Sequence, residues 1–323
     1  MRVALAGAGG LGGVWAAVIQ SESRVALAAI VDPFVGTDLQ SAWLAQIPNV
    51  SRSISVQTMS EEVDALIVTA HSPAHAEVVR DGLERGLHVL VEKPFTTKLE
   101  DAEKLVALAQ AKRLTLMVSQ NYRFFPGSRL LRELVKEKRF GAVNAVFAEF
   151  WCDWPGKPYQ HKMSHVMGLE MAVHHFDLAR AMFDAEATGG CVREWRPADS
   201  RFAGGDGIEA LFDMSGPGGA FPFTYSGSLV GKAPRTPWPG HWRIEFDRET
   251  VAVDTIEGRY GVYRAHTGGY EWLGRFDGDD MLFNLPLAHF IDCVLSGQEP
   301  WSSGRDNLGT LKMALGVETF GCG

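Results

Sequence analysis

The sequence predicts two domains: a doubly wound α/β domain with a parallel sheet, then an α+β domain with a mainly antiparallel sheet. Three observations carry this. Through residues 1–122, short apolar runs of strand length alternate with helical segments, the rhythm of parallel strands joined by right-handed crossovers. Through residues 123–323 the strand-like runs are instead separated by Gly, Pro and Asp turns, with helices before and after them. The length of 323 residues also exceeds one ordinary core, at roughly 150 residues per domain.

Arg2–Ala6 (RVALA) reads as a buried strand that runs straight into GAGGLGG. Val14–Ser21 is helical in pattern, and Val25–Val31 is a second apolar strand ending at Asp32. Asp64–Ala70 and Leu87–Val91 are further strands. SPAHAEVVRDGLERG between them has an early proline, helix formers inside and Gly86 as a stop. Thr97 and Glu100 have capping-box spacing ahead of the helix LEDAEKLVALAQAKR, and Leu114–Gln120 closes the series as a strand. Beyond Phe124, SRLLRELVKEKRFG predicts a helix ending at Gly141, and AVNAVFAEFW alternates like a half-buried strand. Between Val192 and Trp272 lie GIEALFDM, AFPFTYSGSL, HWRIEFD, TVAVDTI and RYGVYR, all strand-like. FNLPLAHFIDCVLSG and GRDNLGTLKMALGVETFG are closing helices, and no internal repeat or low-complexity segment interrupts the pattern.

Composition narrows the function classes. A net charge of −8 without basic clusters argues against a nucleic-acid or membrane-surface partner. No run approaches the roughly 20 apolar residues that span a bilayer. Glycines interrupt the apolar start of MRVALAGAGGLGG and no small-residue cleavage site follows, so a signal peptide is not expected. Cys152, Cys191, Cys293 and Cys322 are far apart with no CxxC pair, which reads as reduced thiols in a cytoplasmic protein.

Gly7-Ala8-Gly9-Gly10-Leu11-Gly12 fits G-x-G-x-x-G directly after a strand and before a helix. Glycine there lets the chain turn sharply and brings its amides to a pyrophosphate, with the positive helix end behind them. Asp32 lies about 20 residues beyond Gly12 at the second strand's tip, where a carboxylate bonds a ribose hydroxyl pair. The same acid repels a 2′-phosphate, and no Arg or Lys occurs from Pro33 to Val50. NAD is therefore the expected cofactor; NADP stays open because other loops can supply a cation.

GLEMAVHHFDLARAM places Glu170, His174 and Asp177 four and three residues apart, on one face of a regular helix, with His175 turned away. Histidine suits proton transfer near neutral pH, and a flanking carboxylate fixes its tautomer. The same three residues also fit a satisfied network with no chemistry. A zinc cluster of His161, His165, Glu170 and His174 is a third reading. No HExxH or cysteine pair supports it, so no metal is expected, and His161 and His165 fit surface or substrate-loop positions better.

The strand Leu87–Val91 ends in Glu92-Lys93-Pro94. Ligands of parallel sheets bind outside the carboxyl ends of strands, so Lys93 is expected at that rim, held extended by Pro94. Glu92 suits a partner for nearby backbone or a cation better than chemistry.

The order GxGGxG, acid after the second strand, E-K-P and H-x-x-D-L resembles the glucose–fructose oxidoreductase / inositol dehydrogenase (Gfo/Idh/MocA) family over nearly the whole chain. The resemblance implies a Rossmann domain plus an open-faced, mainly antiparallel sheet domain, with the site in the cleft between them. It implies hydride transfer between NAD(P) and sugars, cyclitols or related polyols, in dimers or tetramers joined through the sheets. Gly7, Gly9, Gly10, Leu11, Gly12, Asp32, His75, Glu92 and Lys93 would bind the cofactor, His75 through the family-like stretch SPAHAEVV. Lys93 and His174 would be catalytic, with Glu170 orienting the histidine, and the Lys93–Pro94 bond would be cis. Where the family has D-x-G-x-H-x-x-D, this chain has Glu170 for the first acid and Ala172 for the glycine. Substrate-binding candidates are Lys93, Asn121, Arg123, Trp151, Tyr159, Glu170 and His174. Trp154 belongs to the same aromatic loop, Trp238 and Trp242 are interface candidates, and Arg123 pairs either a substrate carboxylate or an acid across the domain junction. Two other functions fit the resemblance. One is an NAD-dependent glycosidase of the same fold. The other is a non-catalytic NAD-binding regulator, ranked last because Lys93 and His174 are both retained.

Overall fold

The computed structural model describes residues 1–256, 258–276 and 282–320. The chain forms two compact units, Met1–Asn121 with Leu282–Leu308, and Tyr122–Met281 with Gly309–Gly323.

In the first unit, β1 (Arg2–Ala6) leads through the glycine loop into α1 (Gly10–Ser21) and β2 (Ala26–Val31). There follow β3 (Ser51–Ser53), β4 (Ala65–Val68), α2 (His75–Glu84), β5 (His88–Glu92), α3 (Leu99–Lys112) and β6 (Leu116–Ser119). The strands form one sheet in the order β3-β2-β1-β4-β5-β6, every pair parallel. Every residue of β4 and β6 is buried, as near-continuous apolar runs require when both faces of a sheet are covered. The strand order reverses between β1 and β4, so the crevice above their carboxyl ends is the place where such a fold takes a nucleotide.

Two local expectations change here. The capping box at Thr97 and Glu100 does not form. Helix α3 starts one residue later, after Lys98, with no side-chain cap. Thr96 Oγ1 donates to the Lys98 carbonyl, and Glu100 pairs with Lys104 one turn on. Strand β3 carries no apolar signal because it is a three-residue polar edge, paired on backbone alone.

In the second unit α4 (Pro126–Lys136) is followed by β7 (Val143–Trp151), a π-helical turn at Gly168–Ala172, and α5 (Val173–Phe183). The sheet continues with β8 (Glu186–Trp195), β9 (Gly207–Gly216), β10 (Gly219–Ser228), β11 (His241–Phe246), β12 (Thr250–Ile256), β13 (Arg259–His266) and β14 (Gly269–Phe276). Its order is β14-β13-β12-β11-β7-β10-β9-β8; only β7 and β10 pair in parallel, the rest antiparallel. Along β7 the pleat sends Val146, Ala148 and Phe150 inward and leaves Phe147 and Glu149 exposed. Helix α5, buried along its whole length, lies on the inner face: Phe176 packs edge-on to Phe212 and Tyr225, with centroids 5.2 and 5.0 Å away.

The chain ends in α6 (Asn284–Ser296), α7 (Gly304–Ala314) and α8 (Gly316–Phe320). Residues 282–308 belong to the first unit, which corrects the assignment of all of 123–323 to one domain. Phe283 rests on Trp15 of α1 with centroids 5.3 Å apart, and Ser302 Oγ donates to the Val118 carbonyl at 2.7 Å. An apolar helix pattern shows that a face is covered but does not identify the covering element. The cysteine expectation is also corrected in part. Cys152 and Cys293 are free and buried, Cys191 is disulfide-bonded, and Cys322 lies outside the described residues. Wide sequence spacing excludes a local CxxC pair but places no bound on distance in the fold. Among the described residues no helix is long and apolar enough to cross a membrane.

Candidate active site

The first unit presents a loop shaped for an anion. Gly7 has φ +105°, and a Cβ there would sit 2.4 Å from the Ala70 nitrogen; one on Gly12 would meet the Gly7 carbonyl oxygen at 2.1 Å. Glycine is thus obligatory where β1 turns against the end of β4. Thr69 Oγ1 donates to the Gly7 carbonyl at 2.8 Å and ties that turn to β4. A Cβ on Gly9 or Gly10 would meet nothing within 4 Å, so this side of the loop is open to a ligand. Asp32 ends beside the loop: its Oδ2 accepts from the Ala8 N–H (2.7 Å) and its Oδ1 from the Phe34 N–H (2.9 Å). Open glycine amides at a helix start, with an acid at the next strand tip, fit an adenine dinucleotide.

Lys93, half-buried, follows β5, and the Lys93–Pro94 bond is cis. Its neighbours hold it from behind. Glu92 is buried; its Oε1 accepts from Trp15 Nε1 (2.9 Å) and its Oε2 from the Lys93 N–H (3.2 Å). Burial pushes the Glu92 carboxyl above the usual carboxylate range, against the opposing pull of the Lys93 charge. His75, 1% exposed, places its ring nitrogens 2.7 Å from the Pro94 carbonyl and 2.9 Å from the Ala70 carbonyl. Glu92 and His75 thus brace the backbone of the rim on which Lys93 stands.

In the second unit Glu170, His174 and Asp177 lie on two successive helical segments. Glu170 lies in the π turn, whose i→i+5 spacing breaks the regular phase before α5 begins at Val173. Such turns recur at functional sites, and at the wider π spacing residues four apart still project to nearly the same side. His174, 3% exposed, is stacked on Tyr122 with ring centroids 4.1 Å apart and planes 13° apart. Half-buried Glu170 accepts from Gln160 Nε2 at 3.0 Å. Gln160 Oε1 accepts in turn from Trp154 Nε1 (3.2 Å) and the Lys157 N–H (2.7 Å), so one amide joins the aromatic loop to the acid. Asp177 takes a structural place: Arg123 Nε and Nη2 each donate to its carboxylate at 2.7 Å, and Thr310 Oγ1 donates at 2.9 Å. Arg123 thus pairs with an acid of its own unit. Asn121 closes the first unit, buried at the start of a short 3-10 turn, Asn121–Phe124.

His175 differs sharply from its neighbour. It is buried, with Nδ1 2.8 Å from the Tyr225 hydroxyl and Nε2 3.0 Å from the Trp238 carbonyl. The carbonyl can only accept, so Nε2 carries the proton and Nδ1 accepts from tyrosine. Desolvation lowers its pKa to about 4, keeping the ring neutral near pH 7.

The aromatic candidates separate by face. Trp151 leaves β7 on the same side as Glu149, donates to its carboxylate at 3.3 Å and lies near Trp195, so the pleat turns it away from α5. Trp154 and Trp238 meet edge to face at 6.2 Å, and Trp238 stacks on Phe150 of the inner face. Trp242, an expected interface residue, is buried and stacked on Phe223. Tyr159 is half-buried just before Gln160. His161 bonds the Pro155 carbonyl, and His165 bridges Glu194 and Glu318, with Glu194 raising its pKa. Among the described residues no group of three or more His, Cys, Asp and Glu is arranged to hold a metal. The sequence singled out neither Gln160 nor Trp15, because a polar loop residue and an apolar helix residue carry no motif; Tyr122 gave no sign of its stacking role.

Residues 1–120 match the model of the Gfo/Idh/MocA family, described as an oxidoreductase family with an NAD-binding Rossmann fold. The uncharacterized protein y4oX of Sinorhizobium fredii is 30% identical over 203 residues, 60% of this chain and 55% of the relative. The chain thus spans only about half the length of that relative. D-apiose dehydrogenase of Paraburkholderia graminis is 24% identical over 298 residues, covering 83% of this chain and 73% of the relative. An oxidoreductase from Agrobacterium radiobacter, solved with NAD+, L-tartaric acid and magnesium, is 20% identical with a TM-score of 0.83. That likeness, covering 99% of this chain and 96% of the other, is one of fold.

Proposed function

We propose that the chain is a Gfo/Idh/MocA-type oxidoreductase, an NAD-dependent dehydrogenase or reductase, since its residues 1–120 match that family's NAD-binding Rossmann fold. Its substrate is a sugar, cyclitol or related polyol, and the reacting group is a secondary alcohol or the matching ketone. The observation that carries the reading is the braced Lys93 beside an open glycine loop, at the rim where a parallel sheet takes its nucleotide. The D-apiose dehydrogenase among the relatives supports the sugar class.

Gly9, Gly10, Leu11 and Gly12 would hold the pyrophosphate on their amides, with Gly7 making the turn that brings them there, and Asp32 would hold the adenosine ribose. Bound there, the nicotinamide supplies the hydride chemistry. His174 takes the proton from the substrate hydroxyl on oxidation and returns it on reduction. Stacking on Tyr122 fixes the plane of its ring, and Glu170, held by Gln160, would orient it. The Lys93 ammonium steadies the alkoxide formed as the proton leaves. Each role lies with a side chain whose backbone the fold holds in place, which is the condition for aligning reactants.

The test is a screen of sugars, cyclitols and sugar acids with NAD and NADP, followed at the nicotinamide absorbance. On the best substrate, Lys93→Ala and His174→Ala should each lower kcat by about 100-fold or more while NADH affinity stays within about three-fold. Near-normal turnover in either variant removes that residue from the mechanism. Release of phenol from an aryl glycoside without net NADH would replace the dehydrogenase with a glycosidase.

A further inference from the structure

Trp43 lies in a short 3-10 turn, Ala42–Gln46, after β2, in a segment without motif. Its indole Nε1 donates to two carbonyls of the glycine loop at once, Ala8 at 3.0 Å and Gly9 at 3.2 Å. The ring lies so close to the first turn of α1 that a Cβ on Gly13 would be 3.1 Å from its Cδ1. The indole packs with Leu27, Val35, Ile47 and Val50 against buried Ala8, Ile30 and Leu44, so the turn that carries it is anchored.

In a planar trans peptide the C=O and the N–H point in opposite directions. Fixing the Ala8 and Gly9 carbonyls on the indole side therefore aims the Gly9 and Gly10 N–H groups the other way. A Cβ on either glycine would also meet nothing within 4 Å, so no side chain or backbone packs over these two residues there. The loop's remaining polar groups are also committed: Gly7 N–H to the Val31 carbonyl, Ala8 N–H to Asp32, Gly9 carbonyl also to Gly13 N–H. Among the described residues no acceptor faces the N–H groups of Gly9, Gly10, Leu11 or Gly12. We infer that Trp43 is a positioning residue of the phosphate-binding loop, its indole N–H setting the direction of the amides that receive the dinucleotide's pyrophosphate. The inference rests on the NAD reading of the loop and adds to it a residue outside the glycine motif.

The experiment compares wild type with Trp43→Phe, which keeps a ring and removes the N–H, and with benzothienylalanine at position 43, which keeps the indole shape and lacks the donor. Dissociation constants are measured calorimetrically for NADH and ADP-ribose, and by ligand-observed NMR for adenosine, which has no phosphate. Losing one shared hydrogen bond should weaken NADH and ADP-ribose about five-fold in both variants, with adenosine unchanged. Unaltered NADH and ADP-ribose binding in the benzothienyl variant overturns the inference. So does an equal loss for adenosine, which would make Trp43 a base-binding or purely structural ring. The isosteric variant decides the matter if Trp43→Phe does not fold. Wild type that binds neither NADH nor ADP-ribose would instead overturn the cofactor reading itself.

Discussion

The ion pair of Arg123 with Asp177 gives the sharpest test of which motif residues are structural. Both side chains are 1% exposed, and two 2.7 Å hydrogen bonds join them in a fork. Thr310 donates to the same carboxylate and accepts from Arg180 Nη1 at 2.7 Å, while Arg180 pairs with Glu186. Asp177→Ala leaves the Arg123 guanidinium buried without its counter-charge, a change that costs about 3–5 kcal/mol at comparable sites. At roughly 2–4 °C per kcal/mol for a unit of this size, the second unit's melting temperature should fall by about 6–20 °C. Replacing both partners by apolar groups, Arg123→Met with Asp177→Leu, removes the stranded charge together with its partner. The double variant should therefore melt closer to wild type than either single variant does. Calorimetric scans at pH 7 provide the measurement. An Asp177→Ala protein melting within about 2 °C of wild type, or a double variant showing the sum of the single losses, would refute the structural assignment and return Asp177 to the list of catalytic candidates.

Two further predictions concern charge. His175 titrates near 4 in the folded chain against 6.5 for an ordinary histidine, so the unfolded chain takes up its proton first as pH falls. Stability should be full above pH 6.5 and decline toward pH 4, by about 3 kcal/mol from this residue; urea unfolding across that range should show a shallower decline in His175→Gln, and parallel curves would contradict the assignment. Asp32→Ala should weaken NADH binding about ten-fold and bring the NADPH dissociation constant closer to it, and an unchanged ratio of the two constants would mean that Asp32 does not read the ribose.

Much of the fold was legible because its signals are local. Apolar runs of strand length alternating with capped helices require a parallel sheet, and β1, β2, β4, β5 and β6 all lie within the predicted runs or a residue beyond them. The glycine loop and the Glu92-Lys93-Pro94 tip were readable because each function demands particular residue types in sequence. Strand β3, three polar residues on a sheet edge, carries no such demand. The π turn at Gly168–Ala172 was not legible because such a turn has no sequence signature that overrides helical periodicity.

Sequence alone determined the parallel sheet, the phosphate-type loop at its switch point, and the lysine and histidine that best suit proton and alkoxide chemistry. Tertiary structure decided which polar residues are available. Arg123, Asp177, Glu92, His75 and His175 have the same chemistry as catalytic groups, and the fold gives each of them a protein partner that no motif announces. Trp43, Gln160 and Tyr122 carry no motif, yet long-range contact brings them against the loop, the acid and the histidine. The physical reason is that a side chain's role depends on its desolvation and on its hydrogen-bond partners. Both are set by residues distant in sequence, whereas periodicity and turn chemistry are set by neighbours.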